Sequence, residues 1–263
     1  MRKYLYLART SFLEIFEYKA NLPAKSFAFI VNLSLTLILW LAVTGNKSEI
    51  FSYTRSDLIL YYLFMAGILP LVMGGGDVAQ KIGNDIKTGD LGGILLKPVR
   101  PSYYYGSISI AERLKDFVTV APIVFVVWLA AGFSKSITPD NILLIIVSLF
   151  FTFILNHLFM ALVGLVAFWT TEISWTSTFV AQVVNLVSGV RFPTNFYPAA
   201  IVSLIGLTPF LYFGFFPASI FLQKETINLL FAFSVQLFWV IALLIVLKHY
   251  WLKGLKIYEG AAQ

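Results

Sequence analysis

The chain has 263 residues, of which 59% are apolar and 12% charged, whereas soluble proteins average about 45–50% apolar and about 25% charged residues. This excludes a water-soluble domain, because 19 basic and 13 acidic residues cannot cover the surface of a domain of this size. The absence of cysteine excludes disulfides and thiolate chemistry. The formal charge of +6 indicates loops at an anionic membrane surface and no nucleic-acid partner.

The first 24 residues predict an amphipathic helix that lies along the membrane surface. Their apolar side chains share one side of a helical wheel, with charged and polar residues around the remainder. Arg9 and Glu14 interrupt the apolar core that a signal peptide requires, so we expect this segment to be retained.

Six apolar runs approach the length of about 20 residues that a membrane-spanning helix requires. They are 27–43, 58–73, 117–133, 142–170, 175–190 and 227–247. With the N-terminus in the cytoplasm, 14 of the 19 Lys and Arg residues fall inside and 5 outside, as the positive-inside rule requires. The sequence therefore predicts an all-α polytopic membrane protein, a single membrane domain over 1–263 with both termini in the cytoplasm.

Residues 191–223 are apolar but interrupted by four prolines. Because proline disfavours a straight helix, we expect two short helices that enter the bilayer from outside and return. The sequence thus predicts an extracellular re-entrant hairpin between the fifth and sixth spans.

Residues 74–116 form a long, polar loop between the second and third spans. Asp77 is a candidate N-cap for a short helix, in which Val78, Ile82 and Ile86 share one face. Lys81, Asp85 and Lys87 supply its polar residues, and Thr88-Gly89-Asp90 ends it. An exposed apolar edge on such a helix favours docking on a partner, whereas a merely solvated loop is the alternative.

The run Asp85-Ile86-Lys87-Thr88-Gly89-Asp90-Leu91, followed by Leu95-Leu96-Lys97-Pro98, resembles the loop after the second span in permeases of type-2 ABC transporters, in their bacterial exporter branch. The plan of an N-terminal amphipathic helix, six spans and a re-entrant hairpin is also similar to that family. The steps Ser188-Gly189, Phe192-Pro193 and Tyr197-Pro198 look like its extracellular hairpin.

The resemblance implies a permease subunit of the bacterial cytoplasmic (inner) membrane, working with an ABC ATPase dimer and a second permease, identical or paralogous. It assigns the loop helix as a coupling helix in a groove of the ATPase. The docking residues would be Asp77, Val78, Lys81, Ile82, Asp85, Ile86, Gly89, Asp90 and Leu91.

The chain has no Walker A sequence, so under this resemblance ATP and Mg would be bound by the partner ATPase and no cofactor by this chain. No carboxylate pair, serine triad or metal-ligand cluster is recognisable, which argues against intrinsic enzymatic activity. The substrate implied is a hydrophobic or amphipathic molecule leaving the cytoplasm or inner leaflet.

Polar residues within the apolar runs are candidates for a substrate cavity or gate. They are Asn156, His157, Gln182 and Asn185, joined by Phe192 and Tyr197 of the hairpin. His157 could serve a proton or substrate site, or be a neutral imidazole bonded to a neighbouring helix. Gln182 and Asn185 fit a cavity or interhelical packing equally well.

Two functions of other classes remain open at this stage. One is a secondary transporter or channel without an ATPase, although such proteins usually carry intramembrane carboxylates or repeated halves. The other is a structural membrane protein that uses the same loop for docking.

Overall fold

The computed structural model describes residues 21–45, 49–73, 76–130, 139–170, 173–224 and 228–261. Within these ranges the chain is almost entirely helical. The α-helices are α1 Asn21–Thr44, α2 Arg55–Met73, α3 Gly76–Thr88, α4 Asp90–Leu95, α5 Pro101–Ala130, α6 Pro139–Leu165, α7 Ser174–Val187, α8 Ala199–Gly206, α9 Phe215–Leu222 and α10 Leu229–Ala261. Single 3-10 turns lie at Val166–Phe168, Thr194–Phe196 and Phe210–Tyr212.

Four stretches of the described residues are long and apolar enough to cross a membrane. They are Pro23–Thr44, Arg55–Thr88, Pro139–Phe168 and Leu229–Tyr258. The α7 helix has 14 residues, which gives about 21 Å against a hydrocarbon thickness of about 30 Å. The first half of α5 is polar. An all-α polytopic membrane protein is therefore confirmed, whereas the count of six spans stays a prediction.

The core is centred on α6, which contacts α2, α3, α9 and α10. All eight residues of α9 are buried, so this short helix lies inside the bundle. By contrast, apolar side chains of α1 and α10 such as Leu35 and Ile245 are more than 60% exposed. Exposed apolar helix faces of this extent are expected where lipid replaces water as the solvent.

The segment predicted as a loop over 74–116 is largely helical. The helices α3 and α4 fill its first part, and α5 begins at Pro101, 16 residues before the predicted third span. The short helix predicted from Asp77 to Thr88 corresponds to α3. The helical structure of residues 101–116 was not predicted, because the charges of residues 112–116 were counted as a solvated connection. The predicted surface helix of residues 1–24 lies mostly outside the described residues, which begin inside α1.

The predicted hairpin of residues 191–223 contains two helices of eight residues each, α8 and α9. Each of these helices is too short to cross the membrane, and their re-entry from the outer side stays a prediction. A small β-hairpin departs from the all-α prediction: Glu49–Ile50 pairs antiparallel with Tyr53–Thr54. Its turn residues Phe51 and Ser52 both have positive φ, as tight hairpin turns require.

Candidate functional site

The predicted coupling helix α3 packs tightly into the body of the bundle. Val78, Ile82 and Ile86 are each less than 9% exposed, and their spacing of four residues places them on one helix face. Glycines allow the close approach: a Cβ on Gly83 would lie 2.4 Å from Ile173, and one on Gly164 of α6 would lie 2.9 Å from the Ala79 carbonyl oxygen. The helix is thus fixed along its length.

The prediction that this helix exposes an apolar edge was wrong. Val78, Ile82, Ile86 and Leu91 belong to a buried cluster with α6 and α10. The sequence pattern identified the apolar face, but that face packs against other helices of the same chain and is not available to a partner. The side chain of Asp77 lies outside the described side chains.

Asp85 is buried and joins α3 to α5. Its carboxylate accepts hydrogen bonds from the Lys81 ammonium at 2.9 Å and from the Tyr105 hydroxyl at 3.1 Å. A buried carboxylate needs such partners, because an unpaired charge away from water is costly. Asp85 therefore has a structural role in the pair of helices α3 and α4, which we call the α3–α4 element. Lys81 is exposed.

The exposed part of the element is the turn that joins α3 to α4 and the end of α4. Gly89 has φ +86°, a conformation that glycine adopts without a steric penalty. Thr88, Gly89 and Asp90 are exposed, and Leu96, directly after α4, is 89% exposed. We call residues 87–98 the tip.

The tip is attached to the last helix of the chain. The Tyr258 hydroxyl of α10 donates to the Gly89 carbonyl oxygen at 2.8 Å and accepts from the Gly92 amide at 3.1 Å. Two hydrogen bonds on one hydroxyl hold the turn at both ends. The conformation of the tip is therefore linked to the C-terminal part of α10.

A buried arginine joins α2, α5 and α6. Arg113 is 1% exposed and donates to the Val72 carbonyl oxygen at 2.7 Å and to the Asn156 side-chain oxygen at 3.1 Å. Its guanidinium also lies 4.5 Å from the centre of the Phe153 ring. Because the last carbonyls of a helix have no partner within it, Arg113 acts as a cap for α2.

Sequence reasoning missed this role and counted Arg113 among the solvated cytoplasmic charges. A signal was present: Tyr105, Ser109 and Arg113 are four residues apart and all are buried on one face of α5. A helical reading of residues 101–116 would have placed the arginine on that face.

The structure places Asn156 and His157 in this buried region on α6. Asn156 is fully buried and binds Arg113. Position 106 of α5 is close to the imidazole, since a Cβ on Gly106 would lie 3.9 Å from His157 Nε2. Among the described residues, Asn156 Nδ2 and His157 Nδ1 have no hydrogen-bond partner.

The other four cavity candidates lie elsewhere, at the end of α7 and in the turn that follows. Gln182 accepts from the Arg191 guanidinium at 3.4 Å, and the Tyr197 hydroxyl donates to the Leu186 carbonyl oxygen at 3.0 Å. Phe192 packs edge-on against Trp40. No described contact joins this group to Asn156 and His157, so the six candidates form two groups and not one site.

The turn after α7 is fastened to α2 by two neighbouring tyrosines. The Tyr61 hydroxyl donates to the Gly189 carbonyl oxygen at 2.6 Å, and the Tyr62 hydroxyl donates to that of Arg191 at 2.8 Å. Both tyrosine side chains are buried. These bonds connect α2 directly to the first residues of the predicted hairpin.

The other end of the hairpin is held at the start of α2. Lys224 pairs with Asp57 at 2.6 Å, and its ammonium lies 5.0 Å from the centre of the Tyr53 ring. Burial, with a smaller contribution from Asp57, raises the pKa of the Tyr53 hydroxyl to about 12. The ring is therefore neutral at physiological pH and provides a π-face for the lysine.

The fold and these contacts define a polytopic helical membrane protein. Its polar segment, which runs from α3 to the first half of α5, is packed into the helix bundle. Residues 30–262 match the family model described as "ABC-2 family transporter protein". The match covers most of the chain, which belongs to this family of membrane transport components, the permeases of ABC transporters. A comparison with curated proteins found no match.

Proposed function

We propose that this chain is the membrane-spanning subunit of an ATP-driven exporter for a hydrophobic or amphipathic substrate. An ABC ATPase dimer on separate chains would bind ATP and Mg. The observation that carries the proposal is the α3–α4 element, whose base is fixed in the core while its tip is exposed. A rigid base with an exposed tip is suited to convert motion of a docked ATPase into motion of the bundle.

The docking surface is the tip together with the exposed Lys81 of α3, and the buried face of α3 has the role of transmitting force. Of the nine residues assigned to docking, Lys81, Gly89 and Asp90 are exposed and remain in the surface. Leu96 adds an apolar side chain at the most prominent position. Apolar anchors surrounded by polar residues are the usual centre of a protein interface.

Movement of the tip reaches α2 along two routes. One is the short connection from α3 back to α2, and the other is Arg113, which binds the last turn of α2. Because Arg113 also binds Asn156, a shift of the tip would displace α6 as well. The assignment of Asn156 and His157 to this transmission is favoured over a direct substrate contact, since Asn156 is buried against Arg113 and the neighbouring His157 is half-buried.

The second permease is proposed to pack on α7. The outward side of this helix carries Trp175 and Phe179, which are 78% and 69% exposed, together with the exposed polar residues Thr178 and Gln182. Polar side chains facing hydrocarbon are costly, so this side is better covered by protein or a transport cavity than by lipid. Isologous contact of two identical chains is the simplest arrangement.

The proposed location is the bacterial inner membrane with both termini and the tip in the cytoplasm. The support is the distribution of Lys and Arg, 14 against 5. In this orientation residues 191–223 close the outer side of the cavity, with Phe192 and Tyr197 near its exit.

Co-purification with the proposed ABC ATPase partner tests the docking surface. Leu96→Asp should abolish association, because a charge would enter an apolar contact. The matched control is Phe51→Asp, since Phe51 is 63% exposed in the turn of the β-hairpin, which precedes α2 and lies outside the candidate spans. Full association of the Leu96→Asp chain, with the control behaving identically, would remove the tip from the interface.

A further inference from the structure

A groove opens on the outer surface of the bundle between α2, α5 and α9. Its volume is about 790 Å³, within the range of about 300–1,000 Å³ found for sites that bind small ligands. The side chains that line it are hydrocarbon, with the indole nitrogen of Trp128 as the single polar side-chain atom. The groove is therefore unsuited to hold water.

Small residues form the floor and aromatic residues the walls. Gly67 of α2 and Ala121 of α5 leave the space, and a Cβ on Gly67 would lie 3.4 Å from Val124 across the floor. Phe221 of α9 stacks on Phe64 at a centroid distance of 4.6 Å and meets Trp128 edge-on at 6.4 Å. The walls are thus fixed by mutual packing, and the groove is a formed feature of the fold.

The groove faces the surroundings of the bundle. Val118 and Phe125 at its rim are 56% and 58% exposed. In a membrane protein of this kind, an open apolar rim meets lipid chains and not water.

The length of the groove indicates which molecule occupies it. The groove follows α5 from Phe117 to Trp128, which is about 16 Å of helix, close to half of a hydrocarbon core of about 30 Å. Its first residue directly follows the charged run 112–116, in which Lys115 pairs with Glu112 at 3.1 Å. A lipid chain extending from a headgroup at this polar boundary would fill the groove over one leaflet.

We propose that this groove binds one acyl chain of a resident membrane phospholipid. The site is separate from the tip and from the α7 surface. The inference rests only on the location of the bundle in a membrane, and it stands or falls independently of ATPase docking.

Native mass spectrometry of the purified full chain tests the proposal. Wild type should retain one phospholipid per chain, whereas Ala121→Phe, which fills the floor, should reduce retained lipid by about tenfold. Ala42→Phe is the matched control, because Ala42 is exposed on α1 and lines neither described cavity. Val118→Trp, on the exposed rim, should also reduce retention and cannot act by disrupting the core.

Quenching by phospholipids with brominated chains gives a second measurement. In a variant that keeps Trp128 and replaces the other five of the six tryptophans by phenylalanine, these lipids should quench the fluorescence strongly. Adding Ala121→Phe should reduce that quenching. Equal lipid retention in wild type, Ala121→Phe and Val118→Trp, together with equal quenching of Trp128 with and without Ala121→Phe, would overturn the proposal. A wild-type chain that retains no phospholipid would also overturn it.

Discussion

Replacing Arg113 by methionine should destabilise the folded chain by about 3–5 kcal/mol. Arg113 is 1% exposed and its guanidinium donates at 2.7 Å to Val72 and at 3.1 Å to Asn156. A hydrogen bond to a charged group contributes about 1.5–3 kcal/mol, and its loss leaves a buried acceptor without a partner. Methionine keeps much of the apolar stem, so the loss falls mainly on these two bonds.

The free energy of unfolding can be measured by titrating mixed micelles with dodecyl sulfate. Arg113→Lys keeps the charge and should cost about half as much, because an ammonium cannot reproduce the fork that reaches two acceptors. The matched control is Arg100→Met, at an exposed position, which should change stability by less than about 0.5 kcal/mol.

A double-mutant cycle separates the contact from general damage. Arg113→Met combined with Asn156→Ala should show a coupling of about 0.5–3 kcal/mol, the range for residues in direct contact. Additive effects within about 0.5 kcal/mol would refute the claim that Arg113 joins α5 to α6 through Asn156.

Three further predictions concern the α3–α4 element and its side of the membrane. Gly83→Ala should destabilise the chain by about 1–3 kcal/mol, since its Cβ would lie 2.4 Å from a neighbouring side chain. Gly93→Ala is the control and should be tolerated, because its Cβ would have nothing within 4 Å. Equal unfolding curves for the two variants would contradict the tight packing of α3. Tyr258→Phe should accelerate amide hydrogen exchange at the tip, because it removes bonds of 2.8 and 3.1 Å, without changing exchange in α2; unchanged exchange would refute the attachment. In the cysteine-free chain, a cysteine at Lys87 should react with impermeant reagents only from the cytoplasm and one at Glu49 only from outside; the reverse would invert the topology.

Helix existence could be predicted from the sequence wherever apolar runs were long. The runs 27–43 and 58–73 correspond to α1 and α2, because about 20 apolar residues leave few alternatives to a membrane helix. The sixth predicted run ended at residue 247, whereas α10 continues to Ala261. In this continuation Gly254 packs directly against Phe168, a contact between residues far apart in sequence.

The direction of the α3 apolar face could not be predicted either. Periodicity identifies which side chains share a face, but it does not say whether that face meets the same chain or a partner. Val78 and Ile82 are covered by α6 and residues near α7, and these are distant in sequence. For the same reason the six cavity candidates were grouped by polarity, whereas Asn156 binds Arg113 of α5 and no described contact joins it or His157 to the residues at the end of α7.

The α2 helix connects the two ends of the proposed transport path, and this leads to a prediction on coupling. Its last turn is bound by Arg113, and near its start Tyr61 and Tyr62 bind the carbonyl oxygens of Gly189 and Arg191 at 2.6 and 2.8 Å. Motion of the tip would therefore reach the turn after α7, which lies on the proposed outer side and is called the outer turn below, as motion of one helix.

Removing both hydroxyls by Tyr61→Phe and Tyr62→Phe should free the outer turn at a cost of about 1–3 kcal/mol for each buried bond. We expect assembly with the ATPase and ATP hydrolysis to persist, while substrate export in vesicles falls. Tyr212→Phe is the matched control, because its hydroxyl also donates to a carbonyl oxygen, that of Gly206 at 2.9 Å, but within residues 191–223. If the double variant exports at the wild-type rate, the tyrosines only fasten the fold, and the outer turn moves independently of α2.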